Sequence, residues 1–188
     1  MALNRQATID DELLIRSVKG DAEAFGNLYE RHMLSIYRYM YARVGEVREA
    51  EDLTETVFIK VWQALPKFKM GKASFRTWLF RVAHNLLVDH FRTRKEELEL
   101  PADSMLQSSS PLPEEQVIAM ERSEYIGSVI RRLKPQYQQI LTLRFINELS
   151  HEEAAQVMER SIGSVRVLQH RALKALQDQL GQSGGYRD

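Results

Sequence analysis

The chain has 188 residues and a mass of 21.9 kDa, room for one domain of common size or two small ones and none for a large multidomain enzyme. Apolar residues make up 44% and charged residues 28%, with nine Gly and five Pro, which excludes collagen-like, fibrous and wholly disordered classes. Cysteine is absent, so disulfides, thiolate metal sites and a cysteine nucleophile are excluded, and 26 basic residues balance 26 acidic ones.

No stretch reaches the roughly twenty uninterrupted apolar residues of a membrane-spanning helix. Asp10, Asp11 and Glu12 stand where a signal peptide would carry its apolar run. An unprocessed cytoplasmic chain with no membrane insertion is therefore expected.

Apolar recurrence at three and four residues predicts helices at about 10–19, 21–44, 47–65 and 75–94. Asp21 can cap the second, whose inner face would carry Ala24, Phe25, Leu28, Tyr29, Met33 and Ile36, with Gly45 closing it. Leu53, Val57, Val61 and Trp62 form the next stripe, ended by Pro66. A basic loop at 67–73 then leads to Ser74, a cap for a helix with the stripe Phe75, Leu79, Val82, Leu86 and Phe91. The stretch 100–113 holds Pro101, Pro111, Pro113 and three consecutive serines, the composition of a linker. Further helices are predicted at about 113–133, 135–145, 150–158 and 162–180, before a glycine-containing tail expected to be mobile. No period-two alternation persists, so the expected fold is all-α: two small helical domains joined by a flexible acidic linker.

The balanced total conceals segregated charge. From Pro66 to Lys95 eight basic residues face one acid, Asp89, whereas from Glu96 to Glu124 eight acids face Arg122 alone. Phe68, Phe75, Trp78, Phe80 and Phe91 interleave with the basic block, a composition suited to neutralising phosphates and stacking unpaired bases. Most of these rings also fit a buried stripe, with Phe68 in the loop as the expected exception.

The second half carries a more specific geometry. Ser150 and Glu153 have capping-box spacing, followed by inward Ala154, Ala155 and Met158. Ser161 can then cap a helix whose buried stripe is Val165, Leu168, Ala172 and Leu176, so the pair reads as a helix-turn-helix. Its outer face would present Ser164, Arg166, Val167, His170, Arg171 and Lys174, either an ordinary wet face or the side chains of a recognition helix in a major groove. No phosphate-cradling glycine loop, metal-spaced histidine pair or nucleophile cluster occurs, so neither an enzyme nor a cofactor is implied.

These segments together resemble, in order and over nearly the whole chain, the bacterial RNA polymerase sigma factors of the sigma-70 family, extracytoplasmic-function (ECF) subgroup. The run Ala50 to Trp62 (AEDLTETVFIKVW) resembles the family's polymerase-binding helix, and Phe75 to Asn85 (FRTWLFRVAHN), continuing to Asp89 and Arg92, its promoter-melting helix. Leu149 to Ala155 (LSHEEAA) through Gly163 to Leu173 is similar to its second promoter-reading domain.

The resemblance implies a region 2-like domain at 1–95, a linker at 96–116, a region 4-like helix-turn-helix domain at 117–180 and a tail at 181–188. Asp52, Glu55, Thr56 and Ile59 would meet the beta-prime clamp of core RNA polymerase, with the second domain on the beta flap. Lys67, Phe68, Lys69, Arg76, Arg81, His84, Asn85, Asp89 and Arg92 would serve the promoter's minus-ten element, the loop holding a flipped base and Asn85 and Asp89 touching base edges. Ser164, Arg166, Val167, His170, Arg171 and Lys174 would read the minus-thirty-five element. An anti-sigma factor is implied as a partner, and a monomer is expected when free. The chain departs from the family pattern at His84, where a basic residue is common, and at Val167, Leu168 and Gln169. A stand-alone helix-turn-helix regulator, binding duplex DNA without polymerase, is the alternative.

Overall fold

A computed structural model describes residues 2–68, 73–97 and 125–182. All regular structure among them is helical: α1 (Ala2–Val18), α2 (Ala22–Val44), α3 (Val47–Ala64) with a 3-10 turn at Leu65–Lys67, α4 (Phe75–Glu97), a helical stretch at 125–131 (α5), α6 (Pro135–Leu141), α7 (His151–Val157) and α8 (Ile162–Gln182). α4 continues through Glu97, two residues into the expected linker, and α8 through Gln182, two residues into the expected tail; the rest of both, and residues 113–124 of the expected fifth helix, lie outside the described residues.

Local chemistry sets the boundaries. The Asp21 carboxylate accepts from the Ala24 amide at 3.0 Å, opening α2. Gly45 closes α2 at φ 81°, a left-handed conformation in which an added Cβ would lie 2.7 Å from the Arg131 guanidinium. Glu46 then opens α3, its carboxylate accepting from the amides of Arg48 and Glu49. The Ser74 hydroxyl accepts from the Thr77 amide at 3.2 Å at the start of α4.

One continuous core runs through both halves of the chain. Leu28, Ile36, Val57, Phe80 and Leu87 belong to it together with Ile140, Leu143, Leu149, Val157 and Val165. α2, α3 and α4 surround its first half, α6 lies along α8, and α7 packs against α4. The two helical units thus touch directly.

Several expectations are corrected. α1 starts at Ala2, ahead of the periodic segment, and is tied to α2 by the Asp10 carboxylate, which bonds Arg31 and His32. Met33 is 36% exposed and Trp62 41% exposed, each at the edge of its helix's inner arc. In α4 the fully buried positions are Phe75, Leu79, Phe80, Ala83 and Leu87; Val82, Leu86 and Phe91 are half-buried because α2 and α7 approach a face rotated from the expected stripe. Phe68 is half-buried against Trp78, with ring centroids 4.6 Å apart, and so is not the exposed aromatic of the group. The helix expected at 135–145 widens at Thr142–Ile146 into a π-helical turn, with the Asn147 amide bonded to the Thr142 carbonyl at 3.0 Å.

Candidate nucleic-acid interface

On α3, Asp52, Glu55 and Ile59 face solvent together, Ile59 at 56% exposure, while half-buried Thr56 donates to the Asp52 carbonyl at 2.8 Å. Beside them Trp62 rests on Phe25, centroids 4.7 Å apart, extending this surface with an aromatic edge. Trp62 reads as core from spacing alone. Only its place at the exposed end of the stripe, next to Gln63, hinted otherwise.

α4 divides its expected nucleic-acid residues between two faces. Asn85, Asp89 and Arg92 are exposed, and Arg92 pairs with Asp89 at 3.0 Å. Arg76, Arg81 and His84 are half-buried and turn toward α6 and α7. The Arg76 guanidinium bonds the Asn147 carbonyl and sits 3.8 Å from the Glu153 carboxylate, with Phe80 beneath it at 5.8 Å. Burial first, then the neighbouring charge of Arg43, pushes the His84 pKa down to about 4, against a weaker opposing pull from Glu159. Lys67 is exposed in the 3-10 turn, and Lys69 lies outside the described residues.

The helix-turn-helix is built as its sequence requires. The Glu153 amide donates to the Ser150 hydroxyl at 3.0 Å, and the Ser150 amide donates to the Glu153 carboxylate at 2.7 Å. Ala154, Ala155 and Val157 are buried, Met158 half-buried. The turn uses Glu159 at φ 52°, and the Arg160 amide returns to the Ala155 carbonyl at 2.9 Å. Ser161 then accepts from the Ser164 amide at 3.2 Å and starts α8. Val165, Leu168 and Ala172 are buried and Leu176 half-buried, so Ser164, Arg166, Val167, His170, Arg171 and Lys174 share an exposed surface.

Arg144 was not singled out by the sequence. It donates to the Gln169 side chain at 3.1 Å and to the Leu149 carbonyl, tying the π-helical turn to α8 and to the entry of α7. Gln169 is distant in sequence, and no local pattern marks Arg144.

An all-helical chain with a basic aromatic helix ahead of a capped helix-turn-helix belongs to a class built to engage DNA. Residues 28–97 match the family model for sigma-70 region 2, and residues 123–176 the model for sigma-70 region 4. The chain is 32% identical over 172 residues to the ECF RNA polymerase sigma factor SigW of Bacillus subtilis, covering 86% of this chain and 91% of that one. It is 37% identical over 167 residues to the ECF RNA polymerase sigma factor BldN of Streptomyces coelicolor, over 88% of this chain but 63% of that protein, of which it therefore spans less than two thirds.

Among solved structures, CnrH in complex with the cytosolic domain of CnrY superposes with a TM-score of 0.72, covering 93% of this chain and 98% of that one at 23% identity. The sigma factor RpoE of Bartonella quintana, bound to the anti-sigma factor NepR, gives 0.66 over 84% and 96% at 18% identity. These two likenesses are of fold. The chain belongs to the ECF RNA polymerase sigma factors of the sigma-70 family. No helix among the described residues is long and apolar enough to cross a membrane.

Proposed function

We propose that this chain acts as a transcription initiation factor in the cytoplasm: it binds core RNA polymerase and directs it to promoters by recognising and melting their DNA. It catalyses no reaction itself. The observation that carries this reading is the presence on one chain, in order, of both sigma-70 regions, the first with a basic aromatic helix and the second with a capped helix-turn-helix. A stand-alone duplex reader has no use for the first of these.

In this reading residues 1–95 bind polymerase and the minus-ten element, 96–116 link, and 117–180 read the minus-thirty-five element. Asp52, Glu55 and Ile59, with Thr56 at their edge, meet the beta-prime clamp, and Trp62 adjoins that surface. Lys67, Phe68, Lys69, Arg76, Arg81 and His84 accompany the separated strand, where Arg76 and Arg81 neutralise phosphates and Phe68 with Trp78 offers stacking area. Asn85 and Asp89 read base edges, with Arg92 on the backbone beside them. Arg166, His170, Arg171 and Lys174, flanked by Ser164 and Val167, enter the major groove, while the same domain contacts the beta flap. An anti-sigma factor is the expected inhibitory partner.

Binding of fluorescent promoter-pool DNA tests this reading. The chain alone should bind weakly, and addition of core polymerase should create tight, sequence-selective binding. Equal affinity with and without core would favour the stand-alone regulator.

A further inference from the structure

Val88 is 49% exposed on α4, whereas the other large apolar side chains of that helix, from Phe75 to Phe91, are buried or half-buried. Core packing therefore does not account for it. Helix stability does not account for it either, because a β-branched side chain is a poorer helix former than alanine at an exposed position.

Its place on the helix is specific. Residues three and four apart share a helix face, so Val88 lies beside His84, Asn85 and Arg92, with Asp89 adjoining it. Asn85, Asp89 and Arg92 are exposed alongside it, and Arg92 pairs with Asp89 at 3.0 Å. An apolar spot thus stands inside the polar face assigned above to the minus-ten element. A lone valine on a solvated helix needs no partner. One set among base-reading side chains meets the same bases they do.

Asn85 and Asp89 can exchange hydrogen bonds with a base edge, but a valine offers such an edge none, and covering a base donor or acceptor with it would cost affinity. The C5-methyl of thymine is the apolar group that base edges display. We propose that Val88 is a specificity-determining residue, which packs against the C5-methyl of one thymine in the minus-ten element, next to the base read by Asn85. The proposal rests on the reading of α4 as a nucleic-acid surface given under Proposed function, and adds to it a preference for thymine at one position.

Deoxyuridine provides the test, since it pairs as thymine does and lacks only the methyl. The full chain, assembled with core polymerase, selects duplexes from a pool randomised over the minus-ten element. Each thymine of the selected duplex, on either strand, is then replaced singly by deoxyuridine. Equilibrium binding with core polymerase compares the parent chain, Val88→Ala and Val88→Ile. Circular dichroism melts establish that each variant folds.

The expected result is one thymine at which deoxyuridine weakens the parent complex about fourfold, the worth of one buried methyl-sized group. Val88→Ala should bind the thymine duplex about fourfold less tightly than the parent and should no longer respond to loss of that methyl, whereas Val88→Ile should keep the response. A parent complex indifferent to the methyl at every thymine would overturn the proposal and leave the sigma-factor reading standing, as would an undiminished response in Val88→Ala. Absence of any core-dependent selection from the pool would overturn that reading, and the proposal with it.

Discussion

The Asp10 carboxylate on α1 lies 2.8 Å from His32 Nε2 on α2, and both side chains are almost wholly buried. Arg31 Nε donates to the other oxygen at 2.9 Å. Burial pushes the Asp10 pKa up, but His32 and then Arg31 together pull it below the ordinary 3.8. The stabilisation this gives is fully present above about pH 3.8 and is lost as pH falls through the lowered value. Asp10→Asn should cost about 3 kcal/mol, since it strands His32 and Arg31 without their anion. Urea denaturation at neutral pH measures it, and a cost near zero would show that α1 is held by its apolar face alone.

His84 shifts in the same direction as Asp10, its packing between α4 and α6 favouring the neutral ring. Burial and Arg43 hold its pKa at about 4 in the packed state, with Tyr39 and Gln139 at its Nδ1 and Glu159 opposing. Packing is therefore favoured fully above about pH 6.5, the ordinary histidine value, and weakens as pH falls toward 4. An NMR titration of the His84 ring should give a depressed midpoint in the parent chain and a lower one still in Glu159→Lys, which replaces the opposing carboxylate with a cation.

The turn between α7 and α8 holds Glu159 at φ 52°, where a side chain is strained and glycine is not. Glu159→Gly should raise stability by about 0.5 kcal/mol, the relief of strain being partly offset by the greater freedom of glycine in the unfolded chain. For a chain of this size a rise in Tm of about 2 °C is expected. The opposite sign is predicted for Ser150→Ala, which removes half of the capping box and should cost about 1 kcal/mol.

Ile59 is 56% exposed on α3, and its removal should leave folding intact. Ile59→Ala combined with Asp52→Ala should weaken core polymerase binding by about tenfold, equivalent to about 1.4 kcal/mol. An unchanged melting curve alongside the weakened binding would separate a partner surface from a structural one.

The helices, their caps and the helix-turn-helix were legible because they are written locally. Asp21, Ser74, Ser150 and Ser161 each sit next to the amides they cap, and Val165, Leu168 and Ala172 repeat at helical spacing. The blocks that carry the family resemblance, from Ala50 to Trp62 and from Phe75 to Arg92, were equally readable. What stayed hidden depends on pairs far apart in the chain. Gln139 meets His84 across 55 residues and Arg76 meets Asn147 across 71, so the covering of α4 left no mark in periodicity or charge. The rotation of α4's buried arc toward Phe80 and Leu87 has the same origin, because it is set by where α7 packs.

The central claim is tested most directly by run-off transcription from fragmented bacterial genomic DNA with purified core polymerase, with and without this chain, followed by sequencing of transcript starts. The account predicts new starts that share two upstream motifs and that vanish without the chain. No new starts, from a chain that neither binds core nor needs it to bind DNA, would contradict it.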